Sequence, residues 1–182
     1  MSYEKWRESL KSGNIVPQGF KRQEHFSSSE ENLKATNPNY LKNIWYQRNC
    51  QRCVPTYEMR MRGYEVTAKP ARDNDEFAEK HWRDIFKDVI IEKINGKSGI
   101  ISKMQEWGDG ARAEVYIEWD YMNAHVFIAE NRNGKICFLD PQTGEADVEH
   151  YFLEGNATEF FRIDNLDINE KYIRECCEER TK

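Results

Sequence analysis

Residues 111–140 read Ala111-Arg112-Ala113-Glu114-Val115-Tyr116-Ile117-Glu118-Trp119-Asp120, Tyr121-Met122-Asn123-Ala124-His125-Val126-Phe127-Ile128-Ala129-Glu130, then Asn131-Arg132-Asn133-Gly134-Lys135-Ile136-Cys137-Phe138-Leu139-Asp140. Ala111, Ala113, Val115, Ile117 and Trp119 alternate with Arg112, Glu114, Tyr116 and Glu118. That period of two is the signature of a strand with its two faces in different surroundings. Asp120 to Asn123 is a connection, His125 to Glu130 a second strand, and Lys135 to Leu139 a third. Asn131-Arg132-Asn133-Gly134 between them carries Asn-Gly, the strongest short hairpin signal. Pro141 and Gly144 end the pairing. The stretch predicts an antiparallel meander.

Helical patterns come before it. Cys50 to Arg62 places Val54, Tyr57 and Met61 on one stripe, with Gly63 in the position that closes a helix. Tyr64, Val66 and Ala68 alternate as a short strand. Glu76 to Phe86 and Ser98 to Trp107 read as further helices, the latter stopped by Gly108-Asp109-Gly110. After the meander, Glu159 to Ile163 adds a strand and Asn169 to Glu179 a closing helix. Helices followed by an antiparallel sheet make an α+β fold.

The stretch from residue 1 to 43 is polar and reads as an arm or linker. It holds a short helix over Tyr3–Lys11 and a helix start near Ser27-Ser28-Ser29-Glu30-Glu31. Residues 44–182 are expected to form the domain proper. A chain of 182 residues is long enough to bury a core. Its net charge of −5 argues against non-specific nucleic-acid binding, which needs a basic surface. No apolar run has the length of a membrane span, and Met1-Ser2-Tyr3-Glu4-Lys5 does not open a signal peptide. Five cysteines without a disulfide-framework spacing are read as reduced thiols, so a cytoplasmic site of synthesis is expected.

Candidate chemistry begins at Cys50-Gln51-Arg52-Cys53. A thiol at a helix start meets the positive end of the helix dipole and unpaired N–H groups. Both favour the thiolate, and the same N–H groups can hold an oxyanion. A lone cysteine is more often a small buried apolar residue. His125 opens one strand and Asp140 ends its hairpin partner, close enough for a carboxylate to orient an imidazole. A histidine and an aspartate at strand ends are by themselves commonplace. The order Cys, His, Asp, from a helix to adjacent antiparallel strands, is that of papain-like folds. A redox role for the CxxC is disfavoured because no buried strand precedes it. Zinc is disfavoured because Cys176-Cys177 lacks the paired spacing of a structural site.

Asn49-Cys50-Gln51-Arg52-Cys53-Val54, Tyr57-Glu58-Met59-Arg60, Arg62-Gly63-Tyr64-Glu65-Val66, Gly110-Ala111-Arg112-Ala113, His125-Val126-Phe127 and Asp140-Pro141-Gln142-Thr143-Gly144 together resemble the papain-fold toxins that act as glutamine deamidases. Domains of this kind occur in polymorphic toxins and attached to phage or mobile-element head proteins. The resemblance covers Asn49 to Gly144. It implies a papain-like fold and a Cys-His-Asp triad that converts a protein glutamine to glutamate through a thioester, without metal or organic cofactor. Its implied partners are a glutamine-bearing protein and an immunity or inhibitor protein, with no nucleic acid or membrane. An Asn-Cys pair opening the helix favours Cys50 as nucleophile. Pro55, tolerated in a first turn, pulls towards Cys53, and so does Gln47, placed as papain places its oxyanion glutamine. Asn49, Gln47 and Gln142 are the candidate oxyanion or substrate donors. Proteolysis or acyl transfer would use the same machinery, and a non-catalytic binding module is the reading from another class.

Overall fold

The computed structural model describes residues 19–180, apart from 26, 95, 121 and 122. The helix expected over Tyr3–Lys11 lies outside the described residues. The first half holds α1 (Ser29–Thr36), α2 (Cys50–Met61), β1 (Val66–Ala68) and α3 (Gly96–Trp107). The second holds β2 (Arg112–Asp120), β3 (Asn123–Arg132), β4 (Lys135–Leu139), β5 (Asn156–Arg162), α4 (Glu170–Cys176) and β6 (Cys177–Glu179).

The meander is present and longer than its sequence pattern. Strand order is β4-β3-β2-β5, antiparallel throughout. Arg132 pairs with Lys135, so the hairpin closes on Asn133 and Gly134 alone, both at positive φ (54° and 87°). Positive φ at both central residues is the turn that matches the strand twist.

Both faces of this sheet are covered. Val54, Tyr57 and Met61 of α2 meet Val126, Ile128 and Phe161 on one side. Ile100 and Met104 of α3 meet Val115, Ile117, Phe127 and Phe160 on the other. Each such buried side chain contributes about 1.5–3 kcal/mol. The polar face of β2 is therefore not a solvated one. Arg112 and Glu114 are buried beneath α2, and Arg112 is paired with Glu58 of that helix.

Several boundaries differ from the sequence reading. Glu76 to Phe86 is not one α-helix but a π turn, Phe77–His81, running into a 3-10 turn, Trp82–Ile85. The closing helix stops at Cys176. Cys177 turns extended (φ −136°, ψ 161°), and β6 pairs with β1 through Ala68 opposite Cys177. Both Cys176 and Cys177 are consequently buried. Pro55 lies beyond the first turn of α2, so it does not mark the helix start. Within the stretch read as an arm, α1 packs onto α2 and β3. A Ser28–Glu31 capping box starts α1, Leu33 is in the core, and Ser29 Oγ donates to Glu130 of β3 at 2.9 Å. Glu130 also accepts from Tyr57 Oη at 2.7 Å, which ties α1, α2 and β3 together.

Candidate active site

The start of α2 meets one end of the sheet at His125. Cys50 is the first helical residue and is half-buried. Asn49 caps the helix with its backbone: its carbonyl accepts from Arg52 N at 2.8 Å and from Cys53 N at 3.0 Å. Asp140 leaves β4 fully buried and is held by a tight turn, with Gly144 N donating to its carbonyl at 2.8 Å. The β3–β4 register sets Ile128 against Leu139, so Asp140 reaches His125 diagonally rather than from directly opposite.

His125 Nε2 lies 3.0 Å from Asp140 Oδ2. Gln142 N donates to Asp140 Oδ1 at 2.8 Å. Burial opposes ionisation of Asp140, but the hydrogen bond and charge of His125 outweigh it and hold the carboxyl below its usual range. Burial also opposes the charged form of His125. The Cys50 thiolate and Asp140 nevertheless push the imidazole up to about 10. For Cys50, burial works to raise the thiol, while the charge and hydrogen bond of His125 and the N–H of Val126 bring it below the ordinary value. With Nε2 engaged by Asp140, Nδ1 is the nitrogen left for the thiol. Each group thus favours the charged form of the other, His125 lowering the thiol and the thiolate raising the imidazole.

Cys53 is placed differently. It has no exposed surface, and its thiol donates to Asn49 Oδ1 at 3.3 Å. Burial, with the Asp140 and Cys50 charges, raises its pKa well above that of a free thiol. The fold thus brings Cys50, and not Cys53, to His125.

The expected donors do not arrive as free donors. Gln47 is exposed and turns its Nε2 to Tyr40 O at 3.2 Å. Asn49 is fully buried, and its Nδ2 donates to Lys69 O at 2.9 Å. The Gln142 amide is best satisfied with its oxygen turned to the start of α2, where it accepts from Asn49 N and Cys50 N, both at 2.9 Å. A 3.3 Å contact from Gln142 Nε2 to Asn49 Oδ1 belongs to the opposite orientation, which sets N–H groups against each other. Gln142 therefore acts as an acceptor that caps the helix.

A wide groove of about 780 Å³ runs along one side of His125, between Tyr40, Trp119, Thr143, Tyr151 and Leu153. A narrow slot of about 150 Å³ opens beside Cys50 and His125, walled by Trp82, Arg83, Tyr116 and Val126. Trp82 and Tyr116 stack at 5.8 Å, and the Arg83 guanidinium lies 3.9 Å over the Trp82 ring while pairing with Glu159 at 2.6 Å. A separate cavity of about 670 Å³, lined by Arg52, Asp75, His81 and Tyr172, contains neither Cys50 nor His125. Its central charges are already matched, with Arg52 bidentate on Asp75 at 2.6 and 3.0 Å. Among the described residues no group of three or more His, Cys, Asp or Glu is placed to hold a metal, and no helix is long and apolar enough to cross a membrane.

Tyr151 went unmarked in the sequence. Its hydroxyl donates to Asp140 Oδ2 at 2.9 Å. It sits in a short 3-10 turn, Glu149–Leu153, whose aromatic run follows neither a strand nor a helix period.

A cysteine at a helix start, facing a histidine on an adjoining antiparallel sheet, places the molecule in the papain-like class of α+β folds. Residues 48–145, more than half of the 182-residue chain, match the family described as papain fold toxin 1, glutamine deamidase, and the protein belongs to that family. No curated protein and no solved structure matches the chain.

Proposed function

We propose that the protein deamidates a glutamine side chain of a target protein, with Cys50 as nucleophile, His125 as acid and base, and Asp140 as the group that orients His125. The observation that carries this reading is geometric: Cys50 opens α2 and lines one slot with His125, whose Nε2 is anchored on Asp140 at 3.0 Å. In that arrangement His125 pulls the thiol down and the thiolate pushes the imidazole up. A nucleophile needs a lowered pKa or an adjacent base, and Cys50 has both.

The thiolate attacks the carboxamide carbon. His125 passes its proton to the nitrogen, the C–N bond breaks, and ammonia leaves a thioester on Cys50. Water then attacks, giving a proton back to His125, and the C–S bond breaks to release glutamate and regenerate the thiolate. The oxyanion forms against the first backbone N–H groups of α2, where it displaces the Gln142 amide oxygen from Cys50 N–H. The narrow slot beside Cys50 suits a single flat side chain, and the wide groove suits the surface that bears it.

The test is co-expression or incubation with candidate target proteins, followed by ammonia detection and peptide mass spectrometry. Amide-to-acid conversion at a glutamine, lost in Cys50→Ser, supports the proposal. Backbone cleavage without ammonia release would identify a peptidase instead. Neither reaction, with an unreactive Cys50, would return the molecule to the binding-module reading.

A further inference from the structure

We infer that Tyr151 is a positioning residue for the Cys50–His125 pair, acting through Asp140; this rests on the catalytic reading above. The family match ends at residue 145, so Tyr151 is supplied from beyond it.

Asp140 Oδ2 takes two hydrogen bonds, from His125 Nε2 at 3.0 Å and from Tyr151 Oη at 2.9 Å, while Oδ1 takes Gln142 N at 2.8 Å. A carboxylate held at both oxygens cannot swing, and the imidazole it holds cannot turn Nδ1 away from Cys50. The tyrosine is itself fixed. Its N donates to Val148 O at 3.0 Å, and its carbonyl accepts from Gly155 N at 3.0 Å and Trp119 Nε1 at 3.3 Å. Its ring stands edge-on to His125 at 5.8 Å and to Trp119 at 5.3 Å, which closes the groove side of the imidazole. The hydroxyl also favours the charged form of Asp140, because a donor to a carboxylate stabilises it.

Asp140 is faced by His125 from β3, by Tyr151 from the 3-10 turn and by Cys50 and Cys53 from α2. Tyr151 is also faced by Glu145 and Tyr40, and its ring neighbours His150 at 4.8 Å. Cys50 is faced by His125 and Asp140, with Glu114 of β2 and Cys53 nearby and the Arg83–Glu159 pair on the wall of its slot. Of these, only His125 and Tyr151 donate a side-chain hydrogen bond to Asp140 among the described residues. Removing the hydroxyl lets Asp140 take a proton at higher pH and loosens His125, so the thiolate is lost at higher pH as well.

The experiment is the iodoacetamide alkylation rate of Cys50 against pH, read by peptide mass spectrometry on the full chain. The proteins are wild type, Tyr151→Phe, Phe152→Leu and His125→Ala. Phe152 belongs to the same turn and packs on Phe127 and Phe138, so its truncation loosens the turn without touching Asp140. Tyr151→Phe is expected to move the acid limb of Cys50 reactivity up by about 0.5–1 pH unit, a roughly three- to tenfold rate loss on that limb. Phe152→Leu should leave the limb in place. A Tyr151→Phe profile that superimposes on wild type, or an equal shift in Phe152→Leu, makes Tyr151 a packing residue and overturns the proposal. An ordinary thiol limb in wild type, indifferent to His125→Ala, overturns the thiolate–imidazolium pair itself and the role of Tyr151 with it.

Discussion

Arg112 donates from Nε and Nη2 to the two carboxylate oxygens of Glu58, at 2.6 and 3.0 Å, and so bolts the central strand to the helix that begins at Cys50. Arg62 adds a third bond to Glu58 at 2.7 Å. Burial opposes the Glu58 charge, but the two guanidinium groups outweigh it and keep the carboxyl below its usual range. Such a buried pair is weak evidence for stability, yet removing one partner strands the other charge. Glu58→Ala should therefore cost about 3–5 kcal/mol in urea unfolding. A loss within 1 kcal/mol would show that Arg112 finds water or another acid. Because the folded pKa of Glu58 is depressed, its contribution is present above the unfolded carboxyl pKa of about 4.3 and is lost as pH falls through the folded value.

The two cysteines of the CxxC should separate cleanly. Cys50→Ser removes the thiolate and is expected to abolish turnover. Cys53→Ala deletes a buried thiol that donates to Asn49 Oδ1, so it should cost about 1 kcal/mol of stability and keep activity near wild type. Measuring both variants on one substrate decides the matter, and an inactive but folded Cys53→Ala would reverse the assignment.

Turnover and thiol reactivity should part company at alkaline pH. Both rise as pH climbs through the depressed Cys50 value, because the thiolate forms. Above about 10 the raised imidazolium of His125 loses its proton, and ammonia loses its acid. Deamidation should then fall, while alkylation, which needs only the thiolate, should not. Two profiles that decline together on the alkaline side would contradict this division of labour.

Gln142→Glu tests the electrostatics at the helix start. The wild-type amide oxygen accepts from Asn49 N and Cys50 N, and a carboxylate there would satisfy the same groups while adding a negative charge beside the thiolate. Stability should hold or improve, since an anion suits a helix N-terminus. Cys50 reactivity near neutral pH should fall severalfold, because like charge raises a thiol pKa. Unchanged reactivity would place the Gln142 side chain away from the sulfur.

The sheet was readable because side-chain direction alternates strictly along a strand, and Ala111 to Trp119 keeps that alternation without a break. The stripe Val54, Tyr57, Met61 likewise announced α2. What periodicity cannot give is the residue at which a helix opens. That single detail decides whether Cys50 or Cys53 faces the histidine, and Pro55 pointed the wrong way because this helix accommodates it past the first turn. Cys177 continues a helical pattern locally, yet it turns extended to pair with β1, a partner far away in sequence. Contacts made by loops are hidden for the same reason. Gln142 reads as a donor on the opposite wall and arrives as a helix cap. Tyr151 belongs to no period at all and is found only once the fold has brought it to Asp140.

The most direct test of the Cys50–His125 pair is iodoacetamide alkylation of every cysteine across pH, in wild type and His125→Ala, resolved by peptide mass spectrometry. Cys50 alone is expected to react fast at neutral pH, with its limb below that of a free thiol at about 8.5, and His125→Ala should move that limb upward. Cys53 should stay unreactive throughout. A Cys50 that titrates as an ordinary thiol, with or without His125, would contradict the thiolate–imidazolium pair on which the proposed chemistry stands.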